Sequence, residues 1–321
     1  TMDSLNIANS LDIIANIRRD FPRVKVVVGG IHPTIEPEEA IRMPGVDYIC
    51  IGEGELPMLE LCDALTADPT GAQGGDTRIQ NLWANKDGEI YRNSLRPFAD
   101  IDAFEFDRED IAYNGVFTGR GCAGNCNFCA SPFIKSKLGI KGKYFRKRNL
   151  DSVISEIERM IGLNYRHFLL GIKEGTTLRS RLRSAYQFTA YIFEPIRIKD
   201  DSFMIDKEWF FRFAEEFAKR PHLKRRGFIC SARVNEIDVE TVEALKKANC
   251  KTIILGFESG DEEYRNTALK KRIKDDQIYS VAELLSKAGI VMLGQWMIGM
   301  PGETPNLALK SLKMSLEIGD V

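Results

Sequence analysis

No apolar run in this chain approaches the roughly 20 residues that a helix needs to cross a bilayer. The longest candidate, Ile290 to Met300, is broken by Gly294 and Gln295. The first residues also lack the basic, apolar and small-residue succession of a secretory signal. Both absences predict a cytoplasmic protein without a membrane span. Charge of one sign is missing too, the formal net charge being -1. That balance gives no whole-molecule reason to expect nucleic acid or a membrane surface as partner. Seven cysteines in a 321-residue chain of intracellular character argue against a disulfide framework and for metal or thiol chemistry.

What is present is ordinary in bulk. A chain that is 44% apolar and 28% charged reads as globular, and its length predicts about two domains with a sizeable core. Cys50, Cys62, Cys230 and Cys250 fall in apolar strand or helix patterns and are expected to pack in the core. The other three cysteines stand in Thr118-Gly-Arg-Gly-Cys122-Ala-Gly-Asn-Cys126-Asn-Phe-Cys129, four and then three positions apart in a glycine-rich loop. This spacing can turn three thiolates toward one point, and thiolates suit iron-sulfur clusters or zinc. Structural zinc wants four ligands, and neither a fourth nearby cysteine nor a histidine before His167 follows. One metal position would stay open; a zinc knuckle or unrelated thiols is the competing reading.

Along the chain, Leu5 to Ile17 has helical apolar spacing, Val24 to Val28 reads as a strand running into Gly29-Gly30, and Val46 to Ile51 as a strand running into Gly52-Glu-Gly-Glu55. Alternating helix and strand predicts part of a parallel α/β sheet, with ligands beyond the carboxyl ends of its strands. Gly-Gly after a strand is also compatible with a plain tight turn. Residues 66–75 read as a linker, and Asn85-Lys-Asp-Gly88 as a hairpin turn. From Val116 short strands alternate with amphipathic helices, as a β/α barrel requires, and the first strand ends at the cysteine loop. The seven basic residues of Lys135 to Arg148 read as a solvated connector, with a nucleic-acid contact as the alternative. A helix is expected from Leu150 to Ile161. Either Arg166 to Glu174 or Pro195 to Asp201 then supplies the second barrel strand, so residues 171–194 look like an insertion. Trp209, Phe210, Phe213 and Phe217 share a helix face and read as core. Strands at Gly227 to Arg233, Thr252 to Glu258 and Val291 to Ile298 complete a count of five.

The cysteine loop, with an aromatic residue before its last cysteine, resembles the signature of the radical S-adenosylmethionine (SAM) enzymes. The resemblance implies that Cys122, Cys126 and Cys129 hold a [4Fe-4S] cluster whose open iron takes SAM. The string Val-Val-Gly-Gly-Ile-His-Pro-Thr, followed by Val46 to Glu55, resembles the C-terminal half of the cobalamin-binding domain that precedes many of these enzymes. The implied fold is α/β: a partial Rossmann-like cobalamin-binding domain over residues 1–66, a linker with hairpin over 67–113, and a partial (β/α)6 radical SAM barrel over 114–321, shortened at both ends. Gly29, Gly30, Gly52 and Glu53 would meet cobalamin. No Asp-x-His-x-x-Gly motif supplies a lower cobalt ligand, and His32 reads as making a local hydrogen bond.

For SAM, the resemblance implies Asp200 or Asp201 at the methionine amino group, Ser231 and Arg233 at the carboxylate or ribose, Glu258 at the ribose hydroxyls, Ile298 and Gly299 at the adenine, and Phe128 shielding the cluster. Glu258 as a helix N-terminal carboxylate and Arg233 as a surface ion pair compete with these roles. The implied chemistry is reductive cleavage of SAM to a 5'-deoxyadenosyl radical, fed by a reductant such as flavodoxin or ferredoxin. Its use would be cobalamin-dependent C-methylation of a small-molecule or natural-product substrate. The alternatives are a cobalamin-independent oxidoreductase or cyclase, and a non-catalytic cysteine-metal module.

Overall fold

In the computed structural model, the described residues are 2–68, 75–104, 115–139, 144–174 (side chains to 162), 177–179, 182, 185, 186 and 193–319. They form two units, Thr1–Ala99 with Phe128–Tyr144, and Asp100–Asn127 with Phe145–Val321. The linker expected at 66–75 lies mostly outside the described residues, and the insertion expected at 171–194 lies half outside them.

In the first unit, strands β1 (Val27–Gly29) and β2 (Tyr48–Cys50) pair in parallel, and β3 (Leu82–Lys86) and β4 (Glu89–Arg92) continue the sheet antiparallel in the order β1-β2-β3-β4. β2 is buried on both faces, as its unbroken apolar run requires. The expected hairpin turn is present, with Asp87 and Gly88 at φ 52° and 90°, the paired positive values of a turn that matches strand twist. Helices Ile7–Asp20 and Glu55–Ala67 belong to this sheet's unit. The second exposes Cys62, which was expected in the core; Cys50 is buried.

The second unit is built on a five-stranded parallel sheet, with β5 (Gly115–Val116), β8 (Ile196–Ile198), β9 (Phe228–Ala232), β10 (Cys250–Glu258) and β11 (Val291–Trp296) in the order β11-β10-β9-β8-β5. A separate ribbon pairs β6 (Gly119–Arg120) with β7 (Arg146–Lys147). The second barrel strand is therefore β8. Arg166 to Glu174 lies instead in the helix Leu150–Glu174, which runs past the expected end at Ile161. Helix Lys207–Ala218 starts at Asp206, whose carboxylate accepts from the Trp209 amide at 3.0 Å. Its Trp209, Phe210, Phe213 and Phe217 are buried, and Phe203 meets Phe213 and Phe228 edge-on at 5.1 and 5.9 Å. At about 1.5–3 kcal/mol per buried large apolar side chain, this cluster anchors the helix on β9. Cys230 and Cys250 are buried in the same core.

Candidate active site

All five parallel strands point their carboxyl ends the same way, so the residues that follow β5, β8, β9 and β10 share one rim. Thr118 opens the cysteine loop after β5. Its amide donates to Asp200 Oδ1 at 2.6 Å and its hydroxyl to Asp200 Oδ2 at 2.5 Å. Lys147 Nζ donates to the same Oδ2 at 2.7 Å, to Thr118 Oγ1 at 2.8 Å and to the Phe203 carbonyl at 2.9 Å. Both oxygens of the buried Asp200 are thus engaged in pinning the start of the loop to the end of β8. Burial holds the Lys147 ammonium below the usual lysine pKa, against the pull of Asp200. Lys147 and Arg148 correct the reading of a solvated connector at its end: their side chains are 4% and 7% exposed, and Arg148 pairs with Glu156 at 2.5 Å, whereas Lys135 and Lys137 are exposed as expected. Asp201 keeps part of its surface in solvent, while burial around its carboxyl, together with the Asp200 charge, raises its pKa.

Each cysteine sulfur of the loop accepts one N–H. The Gly124 amide donates to Cys122 at 3.2 Å, Arg233 Nη1 to Cys126 at 3.3 Å, and the Ser131 amide to Cys129 at 3.4 Å. Cys129 is exposed and caps helix Ala130–Leu138; Cys126 is buried; Cys122 is intermediate, its thiol pKa pushed up by burial. Asn127 ties the loop down through its amide to Leu269 O at 3.1 Å and its side chain to Ala268 O at 2.9 Å. A Cβ on Gly124 would stand 2.6 Å from Arg233 Nη1, so the approach of that guanidinium depends on glycine. Phe128 is half-buried.

Arg233 follows β9 and also donates from Nη2 to Lys271 O at 2.9 Å. Beneath it, the buried Glu236 accepts from the Ser202 hydroxyl, at 2.6 and 2.7 Å from its two oxygens, and from the Arg233 amide at 3.2 Å; burial raises its carboxyl pKa. Ser231 is half-buried on β9. Glu258 closes β10 with φ at 68°, rare outside glycine, and Lys271 Nζ donates to its Oε1 at 2.8 Å. A Cβ on Gly256 would collide with that carboxylate. Ile298 is 75% exposed, and Gly299, at φ 85°, donates its amide to Glu303 at 2.5 Å. A cavity of about 290 Å³ lies against the cysteine loop, lined by Gly124, Asn125, Arg233, Glu236, Lys270 and Arg272 among others.

Lys147, Lys271 and Glu236 escaped the sequence reading. Each acts through a partner 13 to 53 residues away, and only the side-by-side strands bring the pairs together.

In the first unit Gly30, at φ 113° and ψ -158°, and Gly52, at φ 78°, take backbone conformations that favour glycine just past β1 and β2. Gly29 closes β1 beside Cys50. The Glu53 carbonyl accepts from Asn81 at 3.3 Å. His32 is buried, with its Nδ1 3.2 Å from the Ser4 hydroxyl. That contact spans 28 residues, so the hydrogen bond expected for His32 is made, but not locally.

Residues 116–314 match the Radical SAM superfamily. The chain belongs to this superfamily. Residues 1–62 match the B12 binding domain. An uncharacterized methyltransferase of Pyrococcus horikoshii is 27% identical over 95% of this chain and 61% of its own length. The anaerobic magnesium-protoporphyrin IX monomethyl ester cyclase of Rubrivivax gelatinosus is 24% identical over 92% of this chain and 49% of its own. The solved structure of the radical SAM methyltransferase TsrM from Kitasatospora setae, with tryptophan and a SAM analogue, superposes with TM-score 0.71 at 19% identity over 98% of this chain and 57% of that one. The chain thus spans about half to three-fifths of the length of these proteins.

A radical SAM enzyme with a B12-binding segment has a [4Fe-4S] cluster, SAM and cobalamin as cofactors. The donor chemistry fits the cluster: three soft thiols in one loop, each sulfur already receiving an N–H, with glycine where a side chain would block the Arg233 contact. Among the described residues no three Cys, His, Asp or Glu side chains are gathered as a ready metal site. Gly30 and Gly52 likewise leave the backbone past β1 and β2 free of side chains. No helix of the described residues is long and apolar enough to cross a membrane.

Proposed function

We propose that this chain carries the core of a cobalamin-dependent radical SAM methyltransferase acting on an unactivated carbon of a small molecule. The observation that carries it is the cysteine loop, pinned by Thr118, Asp200 and Lys147 to the carboxyl rim of the parallel sheet, with an N–H on each sulfur. The match of residues 1–62 to the B12 binding domain and the methyltransferases among the relatives support the methyl-transfer part. When bound, the cluster would supply the electron that splits SAM and releases the radical used on substrate.

The chain's own residues would do the rest. Cys122, Cys126 and Cys129 hold the metal. Because Asp200 is engaged on both oxygens, Asp201 is the better acceptor for the SAM amino group. Glu258 keeps one oxygen on Lys271 and offers the other to the ribose hydroxyls, as carboxylates do in other nucleotide sites. Ser231 takes a neighbouring ribose or carboxylate oxygen; Ile298 and Gly299 face the adenine with exposed apolar surface; Phe128 keeps water from the cluster. Gly29, Gly30, Gly52 and Glu53 border cobalamin. A reductant such as flavodoxin or ferredoxin would reduce the cluster.

The test is cobalamin retention. After anaerobic incubation with hydroxocobalamin and desalting, about one equivalent should stay with the chain and be lost from Gly30→Val. A chain that retains none overturns the cobalamin assignment. The cyclase relative favours a second reading, oxidative ring closure with the same pair of cofactors. Transfer of labelled methyl from SAM to product distinguishes the two.

A further inference from the structure

Arg233 is held by the cysteine loop and its neighbours. Its Nη1 donates to Cys126 Sγ at 3.3 Å and its Nη2 to the Lys271 carbonyl at 2.9 Å, while Nε is 3.3 Å from Asn235 Oδ1, so three of its five N–H groups are directed at protein atoms. Cys126 is buried, so the contact is little screened by water. The approach is also protected from behind: Gly124 sits where any Cβ would stand 2.6 Å from Nη1 and 3.2 Å from Cys122 Sγ. The backbone of Arg233 is held in turn, its amide donating to the buried Glu236 at 3.2 Å.

We propose that Arg233 is a positioning residue for the cluster rather than for SAM: its guanidinium donates to the Cys126 thiolate and, by its charge, makes the cluster easier to reduce. The proposal rests on the radical SAM reading. A positive charge beside a thiolate ligand favours the more negative, reduced state. Hydrogen bonds to ligand sulfurs act in the same direction and are among the factors that set cluster potentials. No proton moves in this role, because arginine stays charged throughout.

The experiment is an anaerobic redox titration, followed by electron paramagnetic resonance, of the iron- and sulfide-reconstituted chain without SAM. Arg233→Gln should shift the midpoint to a more negative potential by roughly the equivalent of a tenfold change in the reduced-to-oxidised ratio, about 59 mV for one electron. Gly124→Ala, which keeps every charge but crowds the guanidinium off Cys126, should shift it the same way by less, and it serves alone if Arg233→Gln does not fold. Arg233→Lys, which keeps the charge, should recover part of the shift. Unchanged midpoints in the folded variants overturn the proposal. So does a loss of SAM affinity in Arg233→Gln with the midpoint unmoved, which would return Arg233 to the SAM carboxylate. A wild-type chain that takes up iron and sulfide without forming any [4Fe-4S] signal fails the radical SAM reading, a different failure from these two.

Discussion

Lys147→Met removes the cation on which the start of the cysteine loop turns. In the wild type, Lys147 and Asp200 are each 4% exposed in their side chains and 2.7 Å apart. The lysine also stands 4.8 Å from the Phe203 ring centre and 4.6 Å from that of Trp209. Methionine refills most of the volume but leaves the Asp200 carboxylate buried with only the Thr118 amide and hydroxyl. Breaking one side of a buried ion pair costs about 3–5 kcal/mol, and that is the loss expected here. Burial already weighs against the charged lysine, so removing both charges should be milder than removing one. Lys147→Met/Asp200→Asn should recover about half of the loss, the asparagine carbonyl still accepting from Thr118. The assay is urea unfolding read from Trp209, in a background with Trp83 and Trp296 changed to Phe, comparing midpoints at unchanged slope. A loss below about 1 kcal/mol for Lys147→Met, or a double variant no better than the single one, refutes the reasoning.

Gly256→Ala should push the Glu258 carboxylate out of place while keeping the fold, and weaken SAM binding about tenfold, about 1.4 kcal/mol; calorimetry showing unchanged affinity removes Glu258 from the ribose site. Asp238 caps helix Val239–Lys247, and although its partial burial works against ionisation, hydrogen bonds from Lys207 and Thr241 lower its pKa from 3.8 to about 2. A carboxylate depressed in the folded state contributes stability that is present above the unfolded pKa and lost as pH falls through the folded one. Wild-type stability should therefore decline between pH 3.8 and about 2 in part through this group, and Asp238→Asn, which keeps a capping oxygen, should flatten that part of the acid limb. An acid limb identical in both proteins would contradict it.

How much was legible in the sequence depended on the range of the interaction. The cysteine spacing is covalent, so the loop was readable at once. Asp87-Gly88 is local chemistry and was equally plain. Arg166 to Glu174 was ambiguous because a short apolar run suits a strand or a helix alike; a strand needs a neighbour to pair with, and β8 holds that place between β5 and β9. Cys62 misled because the apolar residues of Glu55–Ala67 are spread round the helix, with Leu61 buried beside it and Leu59 exposed. The division of labour between Asp200 and Asp201 lay beyond any local pattern, since it is decided by Thr118, 82 residues earlier, and by Lys147.

The central claim is that Cys122, Cys126 and Cys129 hold a cluster that cleaves SAM. It is tested most directly by anaerobic reconstitution with iron and sulfide, reduction, and measurement of 5'-deoxyadenosine formed from SAM. The wild-type chain should bind about four irons and yield 5'-deoxyadenosine, and Cys126→Ala should do neither. Zinc bound without sulfide in the wild type, or 5'-deoxyadenosine formed equally by Cys126→Ala, would contradict the account.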